Sequence, residues 1–191
     1  IGIKDSDSYE NLNVTVCPEM PMVPRTNLVA AWASKAYSYI GWIADDNRFE
    51  TPGWDEQVVA TLSQTPGGVV YGNDCVSPGD KPSHVFLDAR IVQALGWFHF
   101  PGVVSTYGDD AWEAIGRGLG TLRYLPDVTV RHLYKEKLHL NHEFVKDGEV
   151  FRHWVRHDLE GDLVKIRRAI HLKPIAWDPA QLKSMIPPLM I

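Results

Sequence analysis

Two adjacent carboxylates end an apolar stretch of the chain near residue 45. The run YIGWIA, residues 39–44, leads directly into Asp45, Asp46 and Asn47. Neighbouring carboxylates repel each other, so placing both at the end of a buried strand is unfavourable unless a cation or hydrogen-bond donors neutralise them. A Mg²⁺ or Mn²⁺ ion shared with substrate phosphates meets that need. The alternative is structural, with Asp45 capping the turn and Asp46 pairing with Arg48.

Polar side chains also follow two other short apolar runs. Asp5 and Asp7 come shortly after Ile3, and Asn73 and Asp74 follow the run GGVVYG. If these runs are strands of one parallel sheet, their carboxyl ends meet at one edge, where ligands of such sheets bind. The spacing therefore predicts that these aspartates belong to one site.

A second carboxylate pair stands where a helix is predicted to begin. Asp109 and Asp110 follow Tyr107-Gly108, and we expect one of them to be the N-cap. The other would face whatever lies in front of the helix, where it could accept a proton from a substrate hydroxyl. His132, at the end of a predicted strand, could be a neutral imidazole ligand for the same cation.

The elements that position these residues alternate between strands and helices as far as His132. Alternation of this kind predicts an α/β fold, a three-layer α/β/α sandwich with a mostly parallel central sheet. Strands are predicted at residues 13–17, 40–44, 69–74, 85–87, 121–124 and 128–130. Helices are predicted from Thr26, over 56–63, over 89–95 between an Asp88 cap and Gly96, from Asp109 or Asp110 to Leu119, and over 158–170 and 179–186, with a loop over 77–83.

Length and composition limit the classes of function. The chain has 191 residues, enough for one domain, and its net charge of -5 argues against tight non-specific binding to nucleic acid. Two cysteines are too few for a disulfide framework, and no apolar run approaches the length of a membrane span, so we expect a cytoplasmic protein. GxGxxG, P-loop, GxSxG and HExxH motifs are absent from the sequence. Because the chain opens on the tail of an apparent strand, we expect a βα unit of roughly 30 residues to be missing before Ile1.

Four separated motifs, in this order, resemble the small GT-A-fold glycosyltransferases. These enzymes are related to the large family-two inverting transferases and occur in actinobacteria and phages. The motifs are MVPRTNLVAAW with YIGWIADDNRFETPGWDE, then GVVYGND, then IVQALGWF, then YGDDAWEAIGRGLGTLRYLPDVTVRH. The resemblance covers residues 1–134, which would form the nucleotide-sugar and acceptor domain, and residues 135–191 would be a C-terminal extension packed on it.

The resemblance implies a role for each candidate residue. Asp45 and Asp46 match the DxD-type element that holds Mn²⁺ or Mg²⁺ against the donor diphosphate, and His132 matches the histidine that closes the metal site. Asp109 matches the catalytic base, with Asp110 as its less favoured neighbour. The remaining implied contacts are Asp5, Asp7 and Asn27 with the nucleotide-sugar donor, and Trp54, Asn73 and Asp74 with the acceptor.

One departure from the family pattern follows His132. Family members often continue as HxHP and GK, whereas this sequence has Tyr134 at the second histidine position. Lys135 or Lys137 could still face the diphosphate. The C-terminal contribution to metal and phosphate binding is therefore the least supported part of the resemblance.

The function that we expect is metal-dependent, inverting transfer of a sugar from a nucleotide-diphosphate sugar, with a UDP-sugar as the default donor. The acceptor could be a glycan, a small molecule, a protein or a modified base in DNA. A metal-dependent phosphoesterase or nuclease is one alternative, because clustered aspartates and a histidine would also serve it. A non-catalytic nucleotide-sugar-binding protein is another. Trp54, Trp97, Phe98 and Trp112 could stack on a sugar or base, although core packing is the more common role of such residues.

Overall fold

A computed structural model describes residues 19–76, 79, 81–104, 106–133 and 142–172, and the predicted α/β class is confirmed. The described part of the chain contains five strands and six helices. In chain order they are α1 (Met22–Ala36), β1 (Tyr39–Trp42), β2 (Asn47–Phe49), α2 (Trp54–Gln64), β3 (Val69–Asn73), β4 (Val85–Asp88), α3 (Ala89–Leu95), α4 (Gly108–Leu119), β5 (Leu122–His132), α5 (His142–His157) and α6 (Leu159–Ile170).

The five strands form one mixed sheet in the order β1-β4-β3-β5-β2. β3 and β5 are parallel, whereas β4 is antiparallel to both β1 and β3, and β2 is antiparallel to β5. The prediction of a mostly parallel sheet is therefore not confirmed by the described strands. The physical reason is the short connection from β3 to β4, whose described residues form no crossover helix, so that the chain returns in the opposite direction.

Three strands nevertheless run in the same direction. β4 is antiparallel to both of its neighbours, so β1 and β3 point the same way, and β5 is parallel to β3. Their carboxyl ends therefore lie at one side of the sheet. We call the residues there the polar edge: Asp46, Asn47, Asp74 and His132.

Both faces of the sheet are covered by helices, because neighbouring apolar residues such as Val69 and Val70 point to opposite faces and both are buried. On one face, Val58 and Leu62 of α2 pack with Val70 and Phe86. On the other face, the neighbouring strand residues Val69 and Leu87 join a larger core with α1, α3, α4, α5 and α6. α5 and α6 thus bury their apolar residues in the same core as α3 and α4.

β5 is one strand with an irregularity, where the sequence predicted two separate strands. Gly72 of β3 lies opposite Leu125, but the next residue, Asn73, lies opposite Thr129. The intervening backbone passes close to Gly72, since a Cβ added there would stand 2.3 Å from the carbonyl oxygen of Val128. Glycine at position 72 therefore permits the irregularity that carries β5 on to the polar edge.

Several other element predictions can be compared with the structure. Helices over 89–95 and 158–170 are confirmed, and Asp88 caps α3 by accepting the Arg90 backbone N–H at 3.0 Å. The prediction that Thr26 begins a helix was wrong, because α1 begins at Met22 after Pro21, whose fixed φ suits a helix entrance. α5 was not predicted. The predicted strand over 13–17 and helix over 179–186 lie outside the described residues.

Replacing Gly72 by alanine tests the importance of this close approach. We expect Gly72→Ala to lower the free energy of unfolding by about 1–3 kcal/mol, because the methyl group would collide with backbone rather than with a movable side chain. Gly161→Ala is the matched control: this helical glycine has open space around its Cβ position, so alanine should stabilise α6 by about 0.5–1 kcal/mol. Urea denaturation of both variants measures the difference, and equal effects of the two substitutions would contradict the role of Gly72.

Candidate functional site

Pairing of β2 with the end of β5 brings Asp46 and His132 together. Asn47 lies opposite His132 in the antiparallel register, and the Leu133 N–H donates to the Asp46 carbonyl oxygen at 2.7 Å. As a result, His132 Nε2 stands 3.0 Å from Asp46 Oδ2. Two candidate metal ligands that are 86 residues apart in sequence are thus in hydrogen-bonding contact.

Two buried atoms at this turn lack a hydrogen-bond partner among the described residues. They are Asp46 Oδ1 and Asn47 Nδ2. The orientation of the Asn47 amide is fixed, because its Oδ1 accepts the Ala44 backbone N–H at 2.7 Å. A buried acceptor without a donor calls for a cation or a proton donor, and a buried donor without an acceptor calls for a ligand oxygen. The turn thus has a buried acceptor and a buried donor, on adjacent residues, that both lack a hydrogen-bond partner among the described residues.

A divalent cation that also contacts an oxygen-rich ligand fits these demands. Asp46 and His132 are the residues that would hold it, whereas Asp45 is solvent-exposed and it is Asp46 that pairs with His132. In the part of the chain that the structure describes, no group of three or more His, Cys, Asp or Glu side chains is arranged to hold a metal. Other coordination positions would therefore fall to substrate phosphates and water, as is common for Mg²⁺.

Asp74 continues the polar edge towards β4. Its carbonyl oxygen accepts the His132 N–H at 3.0 Å, and its carboxylate accepts the Ser83 hydroxyl at 2.9 Å. The neighbouring His84 is fully buried; its Nε2 accepts the Gly72 N–H at 3.0 Å, and burial lowers the pKa of His84 to about 4. With that lone pair occupied, His84 is a neutral structural residue, and Ser83, His84 and Asp74 do not form a hydrolytic triad.

Asp109 and Asp110 lie in the first turn of α4 and have different surroundings. The helix begins at Gly108 with Tyr107 as its N-cap, so the prediction that one of the two aspartates caps it was wrong. Asp110 is buried, and its Oδ1 contacts Lys81 Nζ at 2.5 Å. Asp109 is half-buried, and its Oδ1 accepts the Asp110 backbone N–H at 3.0 Å. Burial, together with the neighbouring Asp110 carboxylate, raises the pKa of Asp109 to about 7. A carboxyl group with this pKa can take up and release a proton near neutral pH, as general acid-base chemistry requires.

The segment 81–84 connects the two groups of carboxylates. Lys81 contacts Asp110, and two residues later Ser83 contacts Asp74. The sequence predicted only a loop over 77–83 and singled out neither residue. A lysine in a polar loop is not a recognisable motif. The signal that could have pointed to Lys81 was the need of the adjacent Asp109 and Asp110 for a positive charge nearby.

The two candidate asparagines are engaged with backbone. Asn27 lies in the second turn of α1 instead of at the helix start, and its amide bonds to Phe98 and His99 at 2.7–2.8 Å. These bonds fasten α1 to the segment after α3. Asn73 Oδ1 accepts the Cys75 N–H at 2.9 Å, which closes a turn after β3. The structure therefore gives Asn27 a role in joining two elements and gives Asn73 a role in a local turn.

The aromatic candidates are packing residues in this structure. Trp97, Phe98 and Trp112 are 8%, 2% and 1% exposed and belong to the larger core, so the stacking role considered for them was wrong. Trp54 is half-buried and stacks on Phe49, with ring centroids 3.9 Å apart. The donor-site candidates Asp5, Asp7 and Lys135 lie outside the described residues.

Comparisons with known proteins returned no match: no protein-family model, curated protein or solved structure matches this chain. Among the described residues, no helix is both long and apolar enough to cross a lipid bilayer. Any assignment of function therefore depends on the residues and geometry described above.

The raised pKa of Asp109 predicts a pH-dependent contribution to stability. Between the ordinary carboxyl pKa of 3.8 and about 7, the folded protein holds a proton on Asp109 that the unfolded chain has released. Asp109 therefore lowers the free energy of unfolding as the pH rises through this window, and the loss is complete above pH 7. We expect Asp109→Asn to be more stable than the unsubstituted protein at pH 8 by at least about 1 kcal/mol, with a smaller difference at pH 5. Urea denaturation at both pH values checks this, and a difference that does not change with pH would contradict it.

Proposed function

We propose that this protein is a metal-dependent, inverting glycosyltransferase that moves a sugar from a nucleotide-diphosphate sugar to an acceptor hydroxyl. The observation that carries the proposal is the contact between Asp46 and His132, beside two buried atoms of opposite hydrogen-bonding demand. We also propose that the fold is a three-layer GT-A arrangement, because the four sequence motifs resemble those of the small GT-A-fold glycosyltransferases. The helices on both faces of the sheet and the shared direction of β1, β3 and β5 are compatible with it.

The polar edge would bind the diphosphate of the donor. Asp46 and His132 would hold Mn²⁺ or Mg²⁺, and the unpartnered Asn47 Nδ2 would donate to a phosphate oxygen. When bound, the cation supplies a Lewis acid that neutralises charge on the departing nucleoside diphosphate. In this arrangement the cation would contact Asp46 and the phosphate would contact Asn47, so both atoms that lack a partner among the described residues would gain one.

Asp109 would act on the acceptor, as the general base. Its carboxylate would accept the proton of the acceptor hydroxyl as that oxygen attacks the anomeric carbon from the face opposite the diphosphate. Its pKa of about 7 suits a group that must be partly ionised at neutral pH and still basic enough to accept a proton. One base without a protein nucleophile gives inversion of the anomeric centre, in contrast to the two-step retaining route.

The phosphoesterase or nuclease alternative makes a different demand on the site. Two-metal phosphoester hydrolysis uses cations about 3.5–4 Å apart, which needs several bridging and terminal ligands. Among the described residues, no third His, Cys, Asp or Glu side chain extends the Asp46–His132 contact into a larger metal-binding group. The site therefore favours a single cation shared with a diphosphate.

Donor binding can be tested by a thermal-shift panel of nucleotide-sugars with and without Mn²⁺. We expect at least one donor, with UDP-glucose as the first choice, to raise Tm only when Mn²⁺ is present. A ligand at about a hundred times its Kd adds about 2.7 kcal/mol, which corresponds to several degrees for a chain of this size. Asp46→Asn should abolish the Mn²⁺-dependent rise, whereas Asp55→Asn, an exposed aspartate on α2, should retain it. A donor-induced shift that is the same without Mn²⁺ would contradict the metal site.

Catalysis can be separated from binding with Asp109→Asn. We expect this variant to keep the Mn²⁺-dependent donor shift and to lose at least about 100-fold in transfer rate, because general-base catalysis contributes roughly that much or more. The same assays should include a model phosphodiester. Cleavage of that substrate by the unsubstituted protein, without any sugar transfer, would favour the phosphoesterase alternative. Full transfer activity in Asp109→Asn would remove Asp109 as the base.

A further inference from the structure

The counter-charge for the carboxylates of α4 comes from the connection between β3 and β4. Lys81 lies in this connection, and its ammonium group contacts Asp110 Oδ1 at 2.5 Å. The Asp110 side chain is 8% exposed, whereas the Lys81 side chain is 46% exposed. An ion pair with one buried member keeps more of its strength than a surface pair, and loss of the cation would leave a buried charge without its partner.

Other charged and titratable groups surround the start of α4. Glu113, one turn further along the helix, is paired with Arg117 at 2.8 Å. Asp147 of α5 accepts hydrogen bonds from Val104 and Thr106 at 2.9–3.1 Å. The groups that act electrostatically on this region are Lys81, Tyr107, Asp109, Asp110, Glu113, Asp147 and Arg152. Within this set, the charge that contacts the Asp109–Asp110 pair directly is that of Lys81.

We propose that Lys81 is a positioning residue: by neutralising Asp110, it makes Asp109 the carboxyl group of the pair that accepts the proton. The inference rests on the proposed function for the identity of the reaction. Two neighbouring carboxyl groups in a partly buried place do not ionise independently, and the group with the closer cation ionises first. Lys81 contacts Asp110 and not Asp109, so the pair's proton exchanges on Asp109, the carboxyl group without a cation in contact.

The position of Lys81 also connects the base to the polar edge. Lys81 is two residues from Ser83, which holds the Asp74 carboxylate at 2.9 Å, and Asp74 accepts the backbone N–H of His132. The Ser83 N–H donates to the Lys81 carbonyl oxygen at 3.0 Å, which keeps this segment turned. One short segment thus holds a carboxylate at each end of the site. The lysine side chain reaches α4 from a backbone that is tied to the metal-binding end.

The inference can be tested without a substrate by following the Asp109 carboxyl carbon in a ¹³C NMR pH titration. Asp109→Asn identifies the resonance by its absence. In Lys81→Met we expect the titration midpoint of Asp109 to rise by roughly 1 pH unit, because the Lys81 charge lowers the pKa of Asp109 and the variant lacks that charge. In Asp110→Asn it should fall, because the repelling carboxylate is gone. Lys81→Arg should restore most of the original midpoint, and Lys35→Met, an exposed lysine of α1, should leave it unchanged.

An unchanged Asp109 midpoint in Lys81→Met would overturn the inference, whatever Asp110→Asn does. If Lys81→Met loses its cooperative unfolding transition, Lys81→Gln and Asp110→Asn decide by the opposite directions of their shifts. The pH profile of transfer then gives an independent readout: its acidic limb should move to higher pH in Lys81→Met and return in Lys81→Arg. The two proposals can fail separately. If the NMR midpoints shift as expected but the protein neither binds nor uses a nucleotide-sugar, the proposed function is refuted and the role of Lys81 in this carboxyl pair stands.

Discussion

Antiparallel pairing of the short strand β2 with the last residues of β5 is the constraint on which the candidate site depends. It sets Asn47 opposite His132 and carries the Asp46 carboxylate to 3.0 Å from the imidazole. The pairing exists because β5 continues past its irregularity opposite Gly72, whose missing side chain leaves room for the Val128 carbonyl. A glycine on a central strand thus determines where two ligand-type side chains meet. The backbone geometry near Gly72 thus determines which side chains lie together at the polar edge.

The two ends of the site are connected through backbone and polar side chains. Asp74 joins His132 by a backbone hydrogen bond and joins Ser83 by its carboxylate, and Lys81 in the same segment contacts Asp110. Such a connection fixes the Asp46–His132 contact and the start of α4 relative to each other. Transfer between a bound donor and an incoming hydroxyl depends on that relative position, because small misplacements of reacting groups reduce rates strongly.

Sequence reasoning found the secondary structure where local signals were strong. Asp88 before an apolar helical run and Gly96 after it predicted α3. A helix over 158–170 was also predicted, without a comparable pair of end signals, and corresponds to α6. The direction of β4 was not predictable, since strand propensity contains no information on which neighbour a strand will join. α5 was missed because its apolar residues lie among charged ones, and their burial depends on the core built by α3, α4 and α6.

The candidate site was predictable in part and for a physical reason. Carboxylates at strand ends and a carboxylate pair at a helix start are unfavourable in isolation, so Asp46 and Asp109 drew attention from the sequence alone. Lys81 did not, because an exposed lysine is ordinary until a buried carboxylate is known to lie beside it. The structure gives Asn27 backbone hydrogen bonds and places Trp97, Phe98 and Trp112 in the core, because such residues serve packing and hydrogen bonding more often than ligand binding. The roles predicted for Asn27 and Trp54 remain predictions.

The central claim is that the unsatisfied turn at Asp46 and Asn47 binds a divalent cation together with a nucleoside diphosphate. Anomalous diffraction from crystals grown with Mn²⁺ and UDP tests it most directly. The account predicts an anomalous peak in coordination contact with both Asp46 and His132, with a phosphate oxygen on the same ion. A well-ordered UDP bound elsewhere on the protein, with Asp46 and His132 still bonded to each other and no peak beside them, would contradict it.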